Sequence, residues 1–258
     1  MTVGPEEPFD LDGFYSLVSI DEWKRIIGDA LHYHFGYFRG SEDLETGLRQ
    51  TVKNFYPYIV PGSRILDVGC GWGGPGKMLI AERDCRVTGV TCSTAQADYC
   101  RHLDLKVLRH DLDRDTEAIP GEYDLIFSLE MISHVRNKFE HLRRLRANAP
   151  RLILSESCAA DEYRGERTTY GGSIMLCTVS ELICDVEKAG WEIKVMRNRR
   201  FESLRTIALW KRNLDRVYGD REPPGQLSYL RGLVNEALKS PVAWCHSFPL
   251  IDIVAEKK

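Results

Sequence analysis

Apolar positions in this chain fall into short continuous runs separated by longer stretches with helical spacing. Residues 64–68, 86–91, 106–109, 123–129 and 151–155 are brief apolar runs, each ended by glycine, polar or proline-bearing turns, and they predict strands. Between them, the stretches starting at 77, at 94 (to 103) and at 139 (to 147) repeat apolar residues every three to four positions and predict helices. Strands alternating with helices of about ten to fifteen residues predict parallel pairing with crossover helices. Further on, 179–189 is a helix closed by Gly190, 191–197 a strand, and 204–218 a long amphipathic helix. Pro223-Pro224-Gly225 is a loop, 227–239 a last helix and 248–256 the closing strand, which makes seven strands. Ahead of the first strand, 16–27 and 42–58 carry helical spacing, with Ser41 before two acids as an expected N-cap.

The junction after the first strand narrows the picture. Ile65-Leu66-Asp67-Val68 runs into Gly69-Cys70-Gly71-Trp72-Gly73-Gly74-Pro75-Gly76, and a helix begins at once. Glycine permits positive backbone torsions and lets a ligand approach the main chain. A strand, a glycine loop and a helix in that order build the nucleotide crevice of a doubly wound sheet. The loop lacks G-x-x-x-x-G-K-[ST], so it is not a phosphate cradle of that kind. About twenty residues on, a dinucleotide fold places an Asp or Glu for the ribose hydroxyls. Here the second strand ends in Thr91 instead.

Composition excludes several classes. At 258 residues, 43% hydrophobic and 28% charged, the chain suits one large α/β domain with an added cap, or at most two small domains. A net charge of −3 supplies no general pull toward nucleic acid or an anionic membrane surface. There is no run of eighteen apolar residues and no basic-then-apolar leader among the first nine, so a cytoplasmic protein without a membrane span is expected. The eight cysteines are scattered without a C-x-x-C pair, which argues against zinc and for a reducing compartment.

With these residues in place, the chain resembles a known family. Asp67-x-Gly69-x-Gly71-x-Gly73 is similar to the first motif of Rossmann-like methyltransferases that use S-adenosylmethionine (SAM). Gly89-Val90-Thr91-Cys92-Ser93-Thr94-Ala95-Gln96 resembles the G-V-T-x-S-x-x-Q variant of the cyclopropane-fatty-acid synthase group, which includes coclaurine N-methyltransferases and tocopherol-type methyltransferases. In that group the Thr and the Gln take the ribose hydroxyls, a role open to a hydroxyl and a carboxamide. His32-Tyr33-His34-Phe35-Gly36-Tyr37-Phe38 resembles the group's Y-x-x-x-Y-F element, which implies Tyr33 at the carboxylate end of SAM and Tyr37 in the transfer chamber. Asp111 matches the acid near the adenine amino group. Ser128-Leu129-Glu130-Met131-Ile132-Ser133-His134-Val135 resembles S-I-E-M-x-E-H-V, and Arg205-Thr206-x-x-Leu209-Trp210 the R-T-L-x-x-W helix of the cap. Cys70, Cys92, Leu112 and Leu129 are further expected walls of the cofactor crevice. The resemblance runs from about residue 30 to 218.

Three departures bear on the chemistry. Cyclopropane-forming members hold a bicarbonate base with a Glu, a His and a Tyr, and the matching positions here are Ser133, a position near Ser155, and Ser203. Without those partners, cyclopropanation is not expected. Glu130 and His134 remain. A histidine of near-neutral pKa suits proton removal from an amine or hydroxyl, and Glu130 can orient it or balance charge. A purely structural role for His134, capping the next helix, stays open at this point.

Tyr170, before Gly171-Gly172, is a candidate for the substrate side. Arg199 and Arg200 are candidates for an anionic substrate, and Arg143, Arg144 and Arg146 read as a solvated helix face. The expectation is an α/β protein with a Rossmann-like seven-strand core: a helical cap over 1–60, a catalytic domain over 61–258, and a cap insertion near 200–245. It would transfer a methyl group from SAM to N or O of a small-molecule substrate. The alternatives are C-methylation of an isoprenoid diphosphate or other alkene, a nucleic-acid or protein methyltransferase, and a non-catalytic SAM-binding protein. Oligomeric state is not readable.

Overall fold

The computed structural model describes residues 9–169 and 173–258. Its centre is a seven-stranded sheet built from β1 (Arg64–Val68), β2 (Arg86–Thr91), β3 (Lys106–Arg109), β4 (Leu125–Leu129), β5 (Arg151–Ser157), β8 (Trp191–Asn198) and β9 (Leu250–Lys257). The order across the sheet is β3-β2-β1-β4-β5-β9-β8. Pairing among β3, β2, β1, β4 and β5 is parallel, joined by α4 (Gly74–Arg83), α5 (Thr94–His102) and α6 (Lys138–Leu145). Strand order reverses between β1 and β4, and a crevice opens there beyond their carboxyl ends.

The inner strands β1, β2, β4, β5 and β9 are buried on both faces over most of their length, which explains their continuous apolar runs, whereas β3 and β8 form the more exposed edges. In β4, Ile126 joins a core with Leu152, Leu154 and Trp191, while Leu125, Phe127 and Leu129 join one with Ile65, Leu79 and Phe55 on the other face. A third apolar cluster lies among α2 (Ile20–Ile27), α3 (Leu44–Lys53), α8 (Ser203–Tyr218) and α9 (Gly225–Lys239), centred on Trp23, Trp210, Leu214 and Leu227. Among the described residues, no helix is long and apolar enough to cross a membrane.

Several elements differ from the pattern-based expectation. β9 runs antiparallel to both β5 and β8. After α8 and α9, α10 (Pro241–Ser247) returns the chain at the carboxyl end of β5, where Leu250 pairs with Ser157, so β9 can only run back along it. The stretch 16–27 is interrupted: α1 (Leu11–Ser16) ends, and Ser19 starts α2 afresh with a capping box to Glu22. The cap of α3 is Asp43, not Ser41; Asp43 has the extended backbone and its carboxylate accepts from the Thr46 N–H at 2.8 Å. A small hairpin, β6 (Thr168–Thr169) with β7 (Ile174–Met175), and helix α7 (Val179–Lys188) complete the chain.

Candidate active site

The glycine loop forms the floor of a cavity of ≈ 390 Å³ at the β1–β4 reversal. Gly69, Gly71 and Gly73 have φ of +79°, +54° and +82°, the left-handed region that favours glycine. The N–H groups of Gly69 and Cys70 both donate to the Val90 carbonyl, at 2.9 and 3.0 Å, which ties the loop to β2. A Cβ on Gly69 would lie 2.2 Å from Met131, whereas one on Gly71 would meet no protein atom within 4 Å. The main chain at Gly71 therefore faces open space.

The sequence-assigned cofactor residues converge here. Tyr33, Asp67, Cys70, Thr91, Cys92, Gln96, Asp111, Leu112 and Leu129 all line the cavity with Gly69 and Gly71. The Thr91 hydroxyl donates to Gln96 Oε1 at 2.7 Å, leaving the Gln96 N–H2 as the group that can donate to a ligand. Asp67 is buried with Oδ2 unpartnered, and burial pushes its carboxyl up to about 7. Asp111 accepts from the N–H groups of Asp113 and Arg114 at 3.0 and 3.2 Å, fixing the turn after β3. The cavity roof is α1, whose Leu11, Phe14 and Tyr15 face inward. It is anchored by Asp12 on the Thr94 N–H (2.6 Å), the Thr94 hydroxyl (2.8 Å) and Arg109 (3.2 Å).

On the opposite wall, β4 leads through Glu130 into a 3-10 turn, Ile132–His134. Glu130 has φ +53°, an uncommon torsion for a side-chain-bearing residue and one of a kind that clusters at functional sites. Two contacts hold it: its N–H donates to the Ser155 carbonyl, and its Oε1 accepts from the Phe35 N–H, both at 2.7 Å. Burial pushes its carboxyl up to about 8. His134 Nδ1 lies 2.5 Å from the Ser173 carbonyl, which can only accept. The proton is therefore on Nδ1, and the Nε2 lone pair faces the cavity, where the Tyr15 hydroxyl donates to it across a long 3.5 Å contact that an acceptor would have to displace. Burial lowers the His134 pKa below the usual value, so the ring is neutral at pH 7.

Glu156 is a cavity residue that sequence reasoning missed. It is 1% exposed and receives the N–H of Ser133 at 3.2 Å and of Ser157 at 3.0 Å. Burial pushes it up to about 7. The available signal was the two-residue alternation of β5, which puts Leu152, Leu154 and Glu156 on one face; ending the strand at 155 hides it.

Other expected residues lie elsewhere. Tyr37 does not line the cavity: its N–H donates to the Gly47 carbonyl in α3 at 2.8 Å, and His34 and Phe35 face the cavity instead. Tyr170 lies outside the described residues. Arg199 is buried against Asp252 (2.9 Å), Glu202 (3.3 Å) and the Ser155 hydroxyl (3.1 Å), and Arg200 contacts His246 at 3.0 Å. Neither arginine lines the cavity; among the described residues, no lysine or arginine does. Ser133 and Ser203 are cavity residues and Ser155 is not.

The three raised carboxyls give stability a definite pH dependence. Asp67, Glu130 and Glu156 keep protons in the folded chain that the unfolded chain has already released near pH 4–4.5, so stability is lost as pH rises through 7 to 8. Buried neutral His34 (about 4) and His141 (about 3) act oppositely, and their contribution is lost as pH falls below 6.5. Denaturant unfolding should show stability falling by about 3 kcal/mol between about pH 6.5 and pH 8.5, less in Glu130→Gln. Stability that rises over that upper window would contradict the placement of these acids.

Comparison with known proteins matches residues 15–151 to the mycolic acid cyclopropane synthetase family. A cyclopropane-fatty-acyl-phospholipid synthase of Escherichia coli is 32% identical over 124 residues, 46% of this chain and 31% of that protein. The chain spans about a third to a half of the length of the first curated relatives it matches. A cyclopropane synthase structure from Mycobacterium tuberculosis superposes with a TM-score of 0.82 at 17% identity, covering 98% of this chain and 100% of that one. A coclaurine N-methyltransferase bound to N-methylheliamine and S-adenosylhomocysteine gives 0.79 at 19%, covering 95% and 84%. These two likenesses concern the fold, a Rossmann-like methyltransferase architecture.

Proposed function

The chain belongs to the mycolic acid cyclopropane synthetase family, and from that premise we propose that it methylates a nitrogen or oxygen of a small metabolite, using SAM. The crevice fits that cofactor. Gly71 leaves main chain open to it, the Thr91 hydroxyl orients Gln96 so that its N–H2 is free to donate to a ribose hydroxyl, and Asp111 lines the same cavity, where it would meet the adenine. The unpartnered Asp67 Oδ2 awaits a donor. Bound SAM supplies an electrophilic methyl group on a sulfonium. The protein's own part is to position the acceptor, exclude water under α1, and accept a proton at His134 Nε2.

The observation that carries this reading is His134 itself: a neutral imidazole with its tautomer fixed by Ser173, opening into the cavity that holds the cofactor residues. Bicarbonate-assisted cyclopropanation lacks support, because serines stand at 133, 155 and 203 and Ser155 is engaged by Asp252 and Arg199. A diphosphate acceptor needs cations or a metal. No Lys or Arg lines the cavity, and no cluster of three or more metal-ligating side chains occurs, among the described residues. With no long apolar helix and free cysteines among the described residues, a reducing cytoplasm suits the chain.

The test offers the chain SAM with arylalkylamines, phenols, geranyl diphosphate and unsaturated phospholipid, each with and without bicarbonate. An N- or O-methylated product, formed at a rate indifferent to bicarbonate, is expected. A cyclopropane, a methyl-branched lipid or a methylated diphosphate would overturn the proposal.

A further inference from the structure

We propose that Glu156, together with the aromatic wall of Tyr163, Trp244 and Phe248, forms an ammonium-binding subsite, so that the acceptor enters as a cationic amine. The inference rests on the methyl-transfer reading and specifies its substrate class.

The carboxylate faces the cavity without an ion pair among the described residues, although the charge of buried Lys138 acts on it from a distance. Two backbone N–H groups, of Ser133 and Ser157, grip its two oxygens at 3.2 and 3.0 Å and favour the charged form. Among the described residues it has no ion-pair partner. Lys138 donates to the Val135 carbonyl at 2.8 Å and does not line the cavity, and Arg199 is taken by Asp252 and Glu202. A buried acid of this kind draws in a positive charge or keeps its proton.

The aromatic wall is an independent observation. Trp244 and Phe248 have ring centroids 4.5 Å apart, and Phe248 and Tyr163 4.9 Å, and all three line the cavity. They are fixed beside the end of β5, because the Cys158 N–H donates to the Pro249 carbonyl (2.9 Å) and the Ala160 N–H to the Ser247 carbonyl (2.8 Å). Ring faces attract ammonium groups, most strongly where water is excluded. A carboxylate with aromatic neighbours recognises an alkylammonium and discriminates against a neutral isostere of the same shape. The acid absent at Ser133 is thus supplied one strand over, with Ser133 as its hydrogen-bond donor.

The experiment uses phenethylamine and phenethyl alcohol as matched probes, titrated calorimetrically at pH 7 into the full chain saturated with S-adenosylhomocysteine. The native chain should prefer the amine by at least about tenfold, the gain from a hydrogen bond to a charged group. Glu156→Gln should remove that preference through the amine alone, leaving the alcohol unchanged. Trp244→Leu should reduce it in the same direction. If Glu156→Gln fails to bind S-adenosylhomocysteine, Glu156→Asp carries the test, with a reduced amine preference expected from its shorter reach. Absent amine binding, equal affinity for the two probes, or a preference untouched by these variants would overturn the subsite while leaving the methyl-transfer reading in place. A native chain that does not bind S-adenosylhomocysteine would instead remove that reading itself.

Discussion

Gly71→Val should abolish S-adenosylhomocysteine binding in a chain that still folds. The reason lies in the contrast with Gly69, where a new Cβ would strike Met131 at 2.2 Å and disrupt the fold before any ligand arrived. At Gly71 a new Cβ meets no protein atom within 4 Å and projects into the open cavity, where the proposed function seats the cofactor. The φ of +54° adds strain of about 1–2 kcal/mol for a residue with a Cβ, more for a branched one, a fraction of ordinary domain stability. Melting should therefore shift by several degrees without collapse, while calorimetry reads no binding. Affinity within about tenfold of the native chain would show that the cofactor does not rest on this loop.

His134→Ala should lower turnover by about a hundred- to ten-thousand-fold and leave S-adenosylhomocysteine affinity nearly intact. The imidazole is fixed through Nδ1 by Ser173, so its loss removes the proton acceptor without touching Thr91, Gln96 or Asp67. The native rate should fall on the acid side at a pH below the usual histidine value, because burial lowers the His134 pKa. Glu130→Gln should cost less, since its oxygen can still accept from the Phe35 N–H. A His134→Ala enzyme that keeps more than about a tenth of native turnover, in a chemistry-limited assay, would remove the base assignment.

The parts legible in the sequence are those set by local chemistry. β1, β2 and β3 begin and end where the apolar runs do; two-sided burial marks β1 and β2, and the polar residues around Val107 and Leu108 mark the half-buried β3. The crevice was legible because the left-handed torsions at Gly69, Gly71 and Gly73 need glycine, and because Thr91 meets Gln96 through one turn of α5. What escaped is decided at a distance. The antiparallel course of β9 follows from where α10 delivers the chain, α1 has no buried residue of its own to mark it, and the β6–β7 hairpin is two residues a side. Arg199 reads as an anion binder until Asp252, fifty-three residues on, is placed beside it. Glu156 reads as a loop acid until β5 is extended past Ser155.

The position of β9 also orders the birth of the molecule. β9 lies between β5 and β8, and among the described residues β8 pairs with no other strand. A nascent chain that has not yet emerged past Leu250 therefore carries two open edges: the apolar flank of β5, and a β8 ribbon with no partner. Arg151 must wait for Glu256, and the Ser155–Asp252–Arg199 lock beside the site waits with it. Such edges invite pairing with neighbouring chains. The five parallel strands can pair before β9 emerges, and until it does the sheet keeps two edges open to pairing with other chains.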